Sequence, residues 1–247
     1  MTPHLPRVLL VEDDASIRRF VQLALEDSGV ELVQAGSLAA AIDALRTGPF
    51  VLILCDLMLP DGSGFDLLQS LAEPDAPSPG MRRVAFSAGV SAEARLRLKS
   101  LGVDEVLSKP VSLAALLACV EGAVDRGHAQ QTPAPAPVDA AQATDDVVSA
   151  FFGGDRPLYE NFLAQCRQQW RLDVEMGNLA LHKGDLPALR RLAHSLKSVL
   201  TTLGFATEGA LALNLEHAAA EGRTEAAGVL WSRLRARLLA CAAKPAA

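Results

Sequence analysis

Residues 51–56 read VLILCD, an unbroken apolar run that ends at a carboxylate. Such a short continuous run is typical of a strand that is buried on both faces of a parallel sheet. With four further runs, it predicts strands at residues 7–13, 30–35, 51–56, 83–88 and 105–108, each followed by an amphipathic helical pattern. A doubly wound α/β fold is the simplest arrangement of five strand–helix units.

Composition and charge limit the classes of protein to which the chain can belong. Its 247 residues are 50% hydrophobic and 21% charged, which indicates one or two globular domains. Residues 1–128 carry 11 Lys and Arg against 17 Asp and Glu, so we predict no nucleic-acid-binding surface. No signal peptide and no uncharged run of roughly 18 apolar residues is present, so we expect a cytoplasmic protein without membrane insertion. The four cysteines lack metal-ligand spacing and are expected as buried thiols.

A change in composition divides the chain. Residues 127–143, GHAQQTPAPAPVDAAQA, have the Pro/Ala-rich composition of an extended linker, although a long surface loop is the alternative. We therefore predict domains at 1–126 and 144–247. Past the linker the pattern is helical, with long amphipathic segments at 157–181, 186–203, 207–220 and 226–242. Their short connections predict an antiparallel helical bundle.

The predicted helices begin at residues that are good N-caps. Asp, Ser or Asn oxygens accept hydrogen bonds from the free amides of the first turn. The predicted caps are Asp14, Ser37, Ser91, Ser112, Asp155 and Asp185, and a proline follows each of the last two.

Acidic residues end two strands that we expect to be neighbours. With the flavodoxin-like strand order 2-1-3-4-5, Glu12 and Asp13 at the end of the first strand lie beside Asp56 at the end of the third. Clustered carboxylates repel one another unless a proton or a cation neutralises them, and their hard oxygens suit Mg²⁺. The sequence therefore predicts a Mg²⁺ site at the carboxyl edge of the sheet.

The same edge carries groups that suit phosphoryl transfer. Asp56 is the natural nucleophile, since a carboxylate can form an acyl phosphate beside a cation. Ser87, which closes the fourth strand, would donate a hydrogen bond to a phosphoryl oxygen. Lys109 follows the fifth strand and would supply positive charge to another phosphoryl oxygen.

Four segments resemble the receiver domain of two-component response regulators. They are VLLVEDDASIRRF, LCDLMLPDGSGFDLL, FSAG and VLSKP, and the resemblance covers about residues 7–126. It implies that Glu12 and Asp13 are the acidic pair, Asp56 is the phosphoacceptor, and the carbonyl of Met58 is a further metal ligand. Ser87 and Lys109 keep the roles given above. One departure is Val106, which stands where the family usually has Tyr or Phe and implies a muted conformational output.

A single histidine stands out in the helical half. At about 100° per residue, His194 lies roughly 160° from the centre of the apolar face of its helix, so we predict that it points outward. Arg190, Lys197, Ser198 and Thr201 share its face, which would suit an anion attached to the imidazole.

The segment AHSLKSVLTTLGF, with the helices around it, resembles histidine-containing phosphotransfer (Hpt) domains. The resemblance implies that His194 is the phosphorylated residue and that Lys197 is its charged support. Ser198 stands where the family commonly has glycine, so we expect slower or more selective docking of a partner receiver.

Together these features predict a phosphorelay intermediate, a phosphotransfer signalling protein rather than an enzyme. Asp56 would exchange phosphoryl groups with a sensor histidine kinase, and His194 would exchange them with a receiver domain. A phosphorylation-gated binding protein, in which His194 is incidental, is the main alternative. A Mg²⁺-dependent phosphatase is disfavoured because Met58 stands where such enzymes place a second acid.

Overall fold

The computed structural model describes residues 5–73, 76–125 and 144–243. The chain divides into two compact units, Met1–Pro137 and Val138–Ala247, which are treated separately below. The predicted linker 127–143 lies outside the described residues, so the predicted domain boundaries stay predictions.

The first unit is built around a five-stranded parallel sheet. Its strand order is β2-β1-β3-β6-β7, which confirms the predicted 2-1-3-4-5 order, because β6 and β7 are the fourth and fifth strands of this sheet. In chain order its elements are β1 (Arg7–Val11), α1 (Ala15–Ala24), β2 (Glu31–Ala35), α2 (Leu38–Leu45), β3 (Leu52–Cys55), β4 (Met58–Leu59), β5 (Gly62–Ser63), α3 (Gly64–Ser70), β6 (Arg82–Ser87), α4 (Ala92–Ser100), β7 (Glu105–Ser108) and α5 (Leu113–Val124).

The central strands form the core of this unit. Every residue of β3 and the last four of β1 are fully buried, as predicted for strands covered on both faces. Both strands end earlier than predicted, so Glu12, Asp13 and Asp56 lie in the loops that follow them. Helix α1 ends at Ala24, and the chain then turns and passes through Gly29 at φ 68°.

The predicted caps of this unit are confirmed. The side chains of Asp14, Ser37, Ser91 and Ser112 each accept a hydrogen bond from a first-turn amide of the helix that follows. A short hairpin was not predicted: β4 and β5 pair antiparallel directly after β3. This hairpin connects the loop that carries Asp56 to helix α3.

The second unit is helical. Its elements are α6 (Thr144–Phe152), α7 (Arg156–Lys183), α8 (Leu186–Thr202), α9 (Ala206–Ala220) and α10 (Thr224–Ala242). Asp155 and Asp185 cap α7 and α8 as predicted. Helix α8 packs against α7 and α9, and α10 packs against α7 and α9. Trp170 and Trp231 are the largest buried side chains in this core.

Three of the four cysteines are buried in the structure. Cys55, Cys119 and Cys166 are buried free thiols, as predicted, and Cys241 is half-buried. Among the helices of the described ranges, none is long and apolar enough to cross a membrane. The cytoplasmic location stays a prediction.

Candidate functional site

Three carboxylates meet at the carboxyl edge of the sheet. One oxygen from each of Glu12, Asp13 and Asp56 lies within 4.8 Å of the others. Glu12 and Asp56 are buried and Asp13 is half-buried. The proximity of Asp13 to Asp56 follows from the pairing of β1 with β3. All three residues are therefore placed where the sequence predicted them.

Lys109 lies between two of these carboxylates. Its ammonium donates to Glu12 and, over 2.6 Å, to Oδ2 of Asp56. Burial acts to lower the pKa of Lys109, but the charges of Asp56 and Glu12 outweigh it, so its pKa lies above the ordinary value. Lys109 therefore remains a cation and partly neutralises the pocket.

The charge of the pocket suits a further cation. Burial raises the pKa of Glu12 and of Asp13, and the negative charge of Asp56 raises both further, while Lys109 opposes the increase. A divalent ion would relieve this repulsion, and carboxylate oxygens are the ligands that Mg²⁺ prefers. The residues present therefore fit a Mg²⁺ ion.

The loop after β3 wraps closely around the phosphoacceptor candidate. Met58 donates its backbone amide to Oδ1 of Asp56 over 3.0 Å. A Cβ at Gly64 would lie 1.9 Å from the carbonyl oxygen of Asp56, so only glycine fits there. The structure thus brings Met58 into the site by its amide, and the predicted metal ligation by its carbonyl stays a prediction.

The backbone of the acidic turn after β1 is held by an arginine side chain that the sequence did not predict. Nη1 of Arg18 donates to the carbonyl oxygens of Glu12 and Asp13 over 2.6 and 2.8 Å. Asp14 is the cap of α1, as predicted, and takes no place in the carboxylate cluster. Since a guanidinium on α1 has many possible partners, only the fold reveals its contact with this turn.

Ser87 and Val106 lie on the last two strands. Ser87 is the buried final residue of β6, and its carbonyl accepts a hydrogen bond from the amide of Lys109 over 3.0 Å. Ser87 and Lys109 therefore lie at the same edge of the sheet, while the role of the Ser87 hydroxyl stays a prediction. Val106 is half-buried and packs against the core.

The histidine site lies between α8 and α9. Nδ1 of His194 is 2.7 Å from Oε1 of Glu216, and Nζ of Lys197 is 2.7 Å from the other oxygen of Glu216. Burial raises the pKa of Glu216, but hydrogen bonds from His194 and Lys197, with their charges, lower it overall to about 2. An ionised carboxylate only accepts hydrogen bonds, so Nδ1 of His194 carries a proton.

The prediction that His194 points outward is wrong. Its side chain is only 7% exposed, and its Nε2 is buried with no hydrogen-bond partner among the described residues. The helical wheel identified one buried face, but α9 covers part of the opposite face of α8. The two helices approach closely, since a Cβ at Gly209 would lie 2.9 Å from Oγ1 of Thr201.

The predicted position of Ser198 on an outward face is also wrong, while its expected effect on docking stays a prediction. Ser198 is buried, and its hydroxyl donates to the carbonyl oxygen of His194 over 3.4 Å. Its hydroxymethyl group therefore lies inside the bundle rather than on a surface that a partner would meet. Glu216, which the sequence reasoning missed, lies 22 positions from His194, and no local pattern connects the two.

Comparisons with known proteins match each half of the chain to a domain family. Residues 8–121 match the response regulator receiver domain family, and residues 158–243 match the Hpt domain family. The chain joins a receiver domain to an Hpt domain. The virulence sensor protein BvgS of Bordetella pertussis is 29% identical over 204 residues, which cover 77% of this chain and 16% of that protein.

Other relatives match the receiver domain. The KDP operon transcriptional regulatory protein KdpE of Escherichia coli is 33% identical over 128 residues, which cover 52% of this chain and 55% of that protein. The receiver of a CheY-like protein from Methanospirillum hungatei is 29% identical with a TM-score of 0.46, covering 49% of this chain and 95% of that structure. The chain therefore spans only part of the curated relatives described here. Its two domains are of the kinds found in two-component signalling proteins.

Proposed function

We propose that the chain relays phosphoryl groups in a Mg²⁺-dependent way, using Asp56 of the receiver domain and His194 of the Hpt domain. We place the receiver domain at 1–126, the linker at 127–143 and the Hpt domain at 144–247. The observation that carries the proposal is the cluster of Glu12, Asp13 and Asp56, in which Lys109 contacts Glu12 and Asp56.

At the receiver domain, an oxygen of Asp56 attacks phosphorus while the bond from phosphorus to the donor nitrogen breaks. The nitrogen of the donor imidazole keeps the electron pair of that bond. When bound, Mg²⁺ would be held by Glu12, Asp13 and Asp56 and would offset the charge of the phosphoryl oxygens. Lys109 leaves Oδ2 of Asp56 and follows the phosphoryl group, and the Ser87 hydroxyl donates to another phosphoryl oxygen.

At the Hpt domain, Glu216 determines which nitrogen of His194 reacts. It accepts a hydrogen bond from the protonated Nδ1, which leaves the lone pair on Nε2 as the nucleophile. Because Nε2 is buried, transfer requires the ring to turn or the neighbouring side chains to move aside. The partners that exchange phosphate with these sites are a sensor histidine kinase and a receiver domain.

The burial of Nε2 also favours a second candidate function. In that case the Hpt domain is a binding module whose His194 is a structural member of the network with Glu216 and Lys197. Phosphorylation of Asp56 would then regulate binding of a partner protein without any transfer to His194.

Labelled phosphate distinguishes the two functions. The full chain is incubated with labelled acetyl phosphate and Mg²⁺, and the parent is compared with Asp56→Asn and His194→Gln. A second reaction supplies the label from a phosphorylated histidine kinase. An acyl phosphate is labile in base and phosphohistidine is labile in acid, so the stability of the label identifies the residue that carries it.

The phosphorelay predicts base-labile label on Asp56 that requires Mg²⁺, and acid-labile label that disappears in His194→Gln. Label on Asp56 without any acid-labile label, together with unchanged partner binding by His194→Gln, would favour the binding module. Absence of label on Asp56 in the parent would contradict both functions.

A further inference from the structure

Asp61 connects the loop that follows Asp56 to a neighbouring helix. It lies between β4 and β5, and its two carboxylate oxygens accept the backbone amides of Leu38 and Ala39 over 2.8 and 3.0 Å. Ser37, the N-cap of α2, accepts the third amide of the same turn, that of Ala40. The first turn of α2 is thus capped twice, once locally and once from the hairpin.

The backbone of the hairpin also packs directly against α2. A Cβ at Gly62 would lie 2.6 Å from Cδ2 of Leu38, so the hairpin is seated on the first residue of the helix. Hydrogen bonds from the amides of Ala39 and Leu38 lower the pKa of Asp61, so its carboxylate is charged at neutral pH. The charge also suits the positive end of the α2 dipole.

Both ends of the same hairpin contact Asp56. At its start, the Met58 amide donates to Oδ1 of Asp56. At its end, Gly64 donates its amide to the carbonyl of Leu57, and its Cα leaves no room for a side chain against Asp56. A displacement of the hairpin along α2 would therefore move the Asp56 carboxylate and the Met58 amide.

We propose that Asp61 is a positioning residue for Asp56, because it anchors the hairpin to α2 and thereby holds the phosphoacceptor against its metal-binding partners. The proposal rests on the function proposed above for Asp56. Asp61 does not contact the carboxylate cluster, and its effect passes through the hairpin backbone. Only the fold brings it to α2, since 22 residues separate it from Ala39 in the chain.

The test compares Asp61→Ala and Asp61→Asn with a matched control, Ser37→Ala, in the full chain. The control removes a cap from the same turn of α2 but leaves the hairpin anchored. The first measurement is Mg²⁺ affinity by titration calorimetry, and the second is hydrogen–deuterium exchange of the peptide that contains the Met58 amide. Neither measurement depends on phosphorylation, and labelling of Asp56 by acetyl phosphate is a third.

We expect Asp61→Ala to weaken Mg²⁺ binding and slow labelling by about three- to tenfold. Loss of a direct partner of a metal ligand costs about 10- to 100-fold, and Asp61 acts one step further out. Asp61→Asn keeps one acceptor oxygen and should show a smaller effect. The Met58 amide should exchange faster in both variants and at the parent rate in Ser37→Ala.

Equal Mg²⁺ affinity and Met58 exchange in Asp61→Ala and Ser37→Ala would overturn the proposal, since Asp61 would then be only a helix cap. Failure of the parent to become labelled on Asp56 would instead contradict the proposed function. The two failures are distinguishable because the first is measured without phosphate.

Discussion

Replacement of Glu216 by glutamine tests the histidine site most directly. The variant keeps the shape of the side chain and an oxygen that can accept the Nδ1 proton of His194, but it removes the negative charge. The ion pair with Lys197 is lost, and the ammonium then lies 3.5 Å from Nδ1 without a carboxylate between them. We expect the Hpt domain to be less stable at neutral pH.

The size of the effect follows from the pKa of Glu216, which is lowered from 4.5 to about 2. At about 1.4 kcal/mol per pKa unit, the full shift corresponds to about 3 kcal/mol. Solvent screening of the partly exposed ion pair with Lys197 reduces this to about 1–2 kcal/mol. Because the folded-state pKa is lowered, the stabilisation is present above pH 4.5 and is lost as the pH falls towards about 2.

The assay is urea unfolding of the parent and Glu216→Gln between pH 7 and pH 2.5. Both tryptophans of the chain, Trp170 and Trp231, are buried in the Hpt domain, so their fluorescence reports that domain alone. The other carboxylates are the same in both proteins, so their contributions cancel in the difference in unfolding free energy. Glu221→Gln is the control, since its ion pair with Arg223 is exposed and should contribute little.

The difference in unfolding free energy between parent and Glu216→Gln should narrow below pH 4.5. A difference that stays constant down to pH 2.5 would refute the reasoning, because the carboxylate would then contribute no charge-dependent stability. Nitrogen chemical shifts of His194 provide a second measurement. In Glu216→Ala the fraction of the ring with its proton on Nδ1 should fall.

Three further predictions concern the receiver domain. Gly64→Ala should destabilise it by about 2–3 kcal/mol, seen as faster amide exchange in β3, because the new Cβ would overlap the Asp56 carbonyl. Lys109→Ala should lower the free energy of unfolding of the receiver domain by about 3 kcal/mol because it leaves buried carboxylates unpaired. Mg²⁺ should restore more stability to this variant than to the parent. Thermal unfolding with and without Mg²⁺ measures both effects. Arg18→Ala removes both hydrogen bonds to the acidic turn and should weaken Mg²⁺ binding in calorimetry, whereas unchanged affinity would show that the turn holds its own shape.

The receiver site could be predicted largely from the sequence, because parallel strands end at one edge of a sheet. Because β1 and β3 are adjacent, Asp13 lies beside Asp56 even when the predicted end of either strand is wrong by one or two residues. The contacts between loops could not be predicted in this way. Arg18 and Asp61 each bind backbone groups of a different loop or helix, and those partners are decided by tertiary packing rather than by any local pattern.

The error at His194 has a different physical origin. A helical wheel assumes that a helix has one buried face and one face in water. Helix α8 is covered by α7 on one side and by α9 on another, and small residues such as Gly209 let α9 approach closely. The polar residues His194 and Ser198 are therefore buried, and their hydrogen bonds stabilise them there.

In the proposed relay, the side chains that hold Asp56 and His194 differ in what they can do during transfer. Lys109 is a cation that holds Asp56, and it can remain near the site because the arriving phosphoryl group is negative. Glu216 is an anion, so a phosphoryl group on Nδ1 of His194 would face its repulsion, whereas one on Nε2 lies across the ring from it. Lys197 can then turn from Glu216 towards the phosphoryl oxygens, while Glu216 continues to accept the hydrogen bond from Nδ1 of His194. Without the charge of Glu216, the proton is held less firmly on Nδ1, so Nε2 is less available as the nucleophile. Removing this charge should therefore impair transfer to His194 without changing the labelling of Asp56.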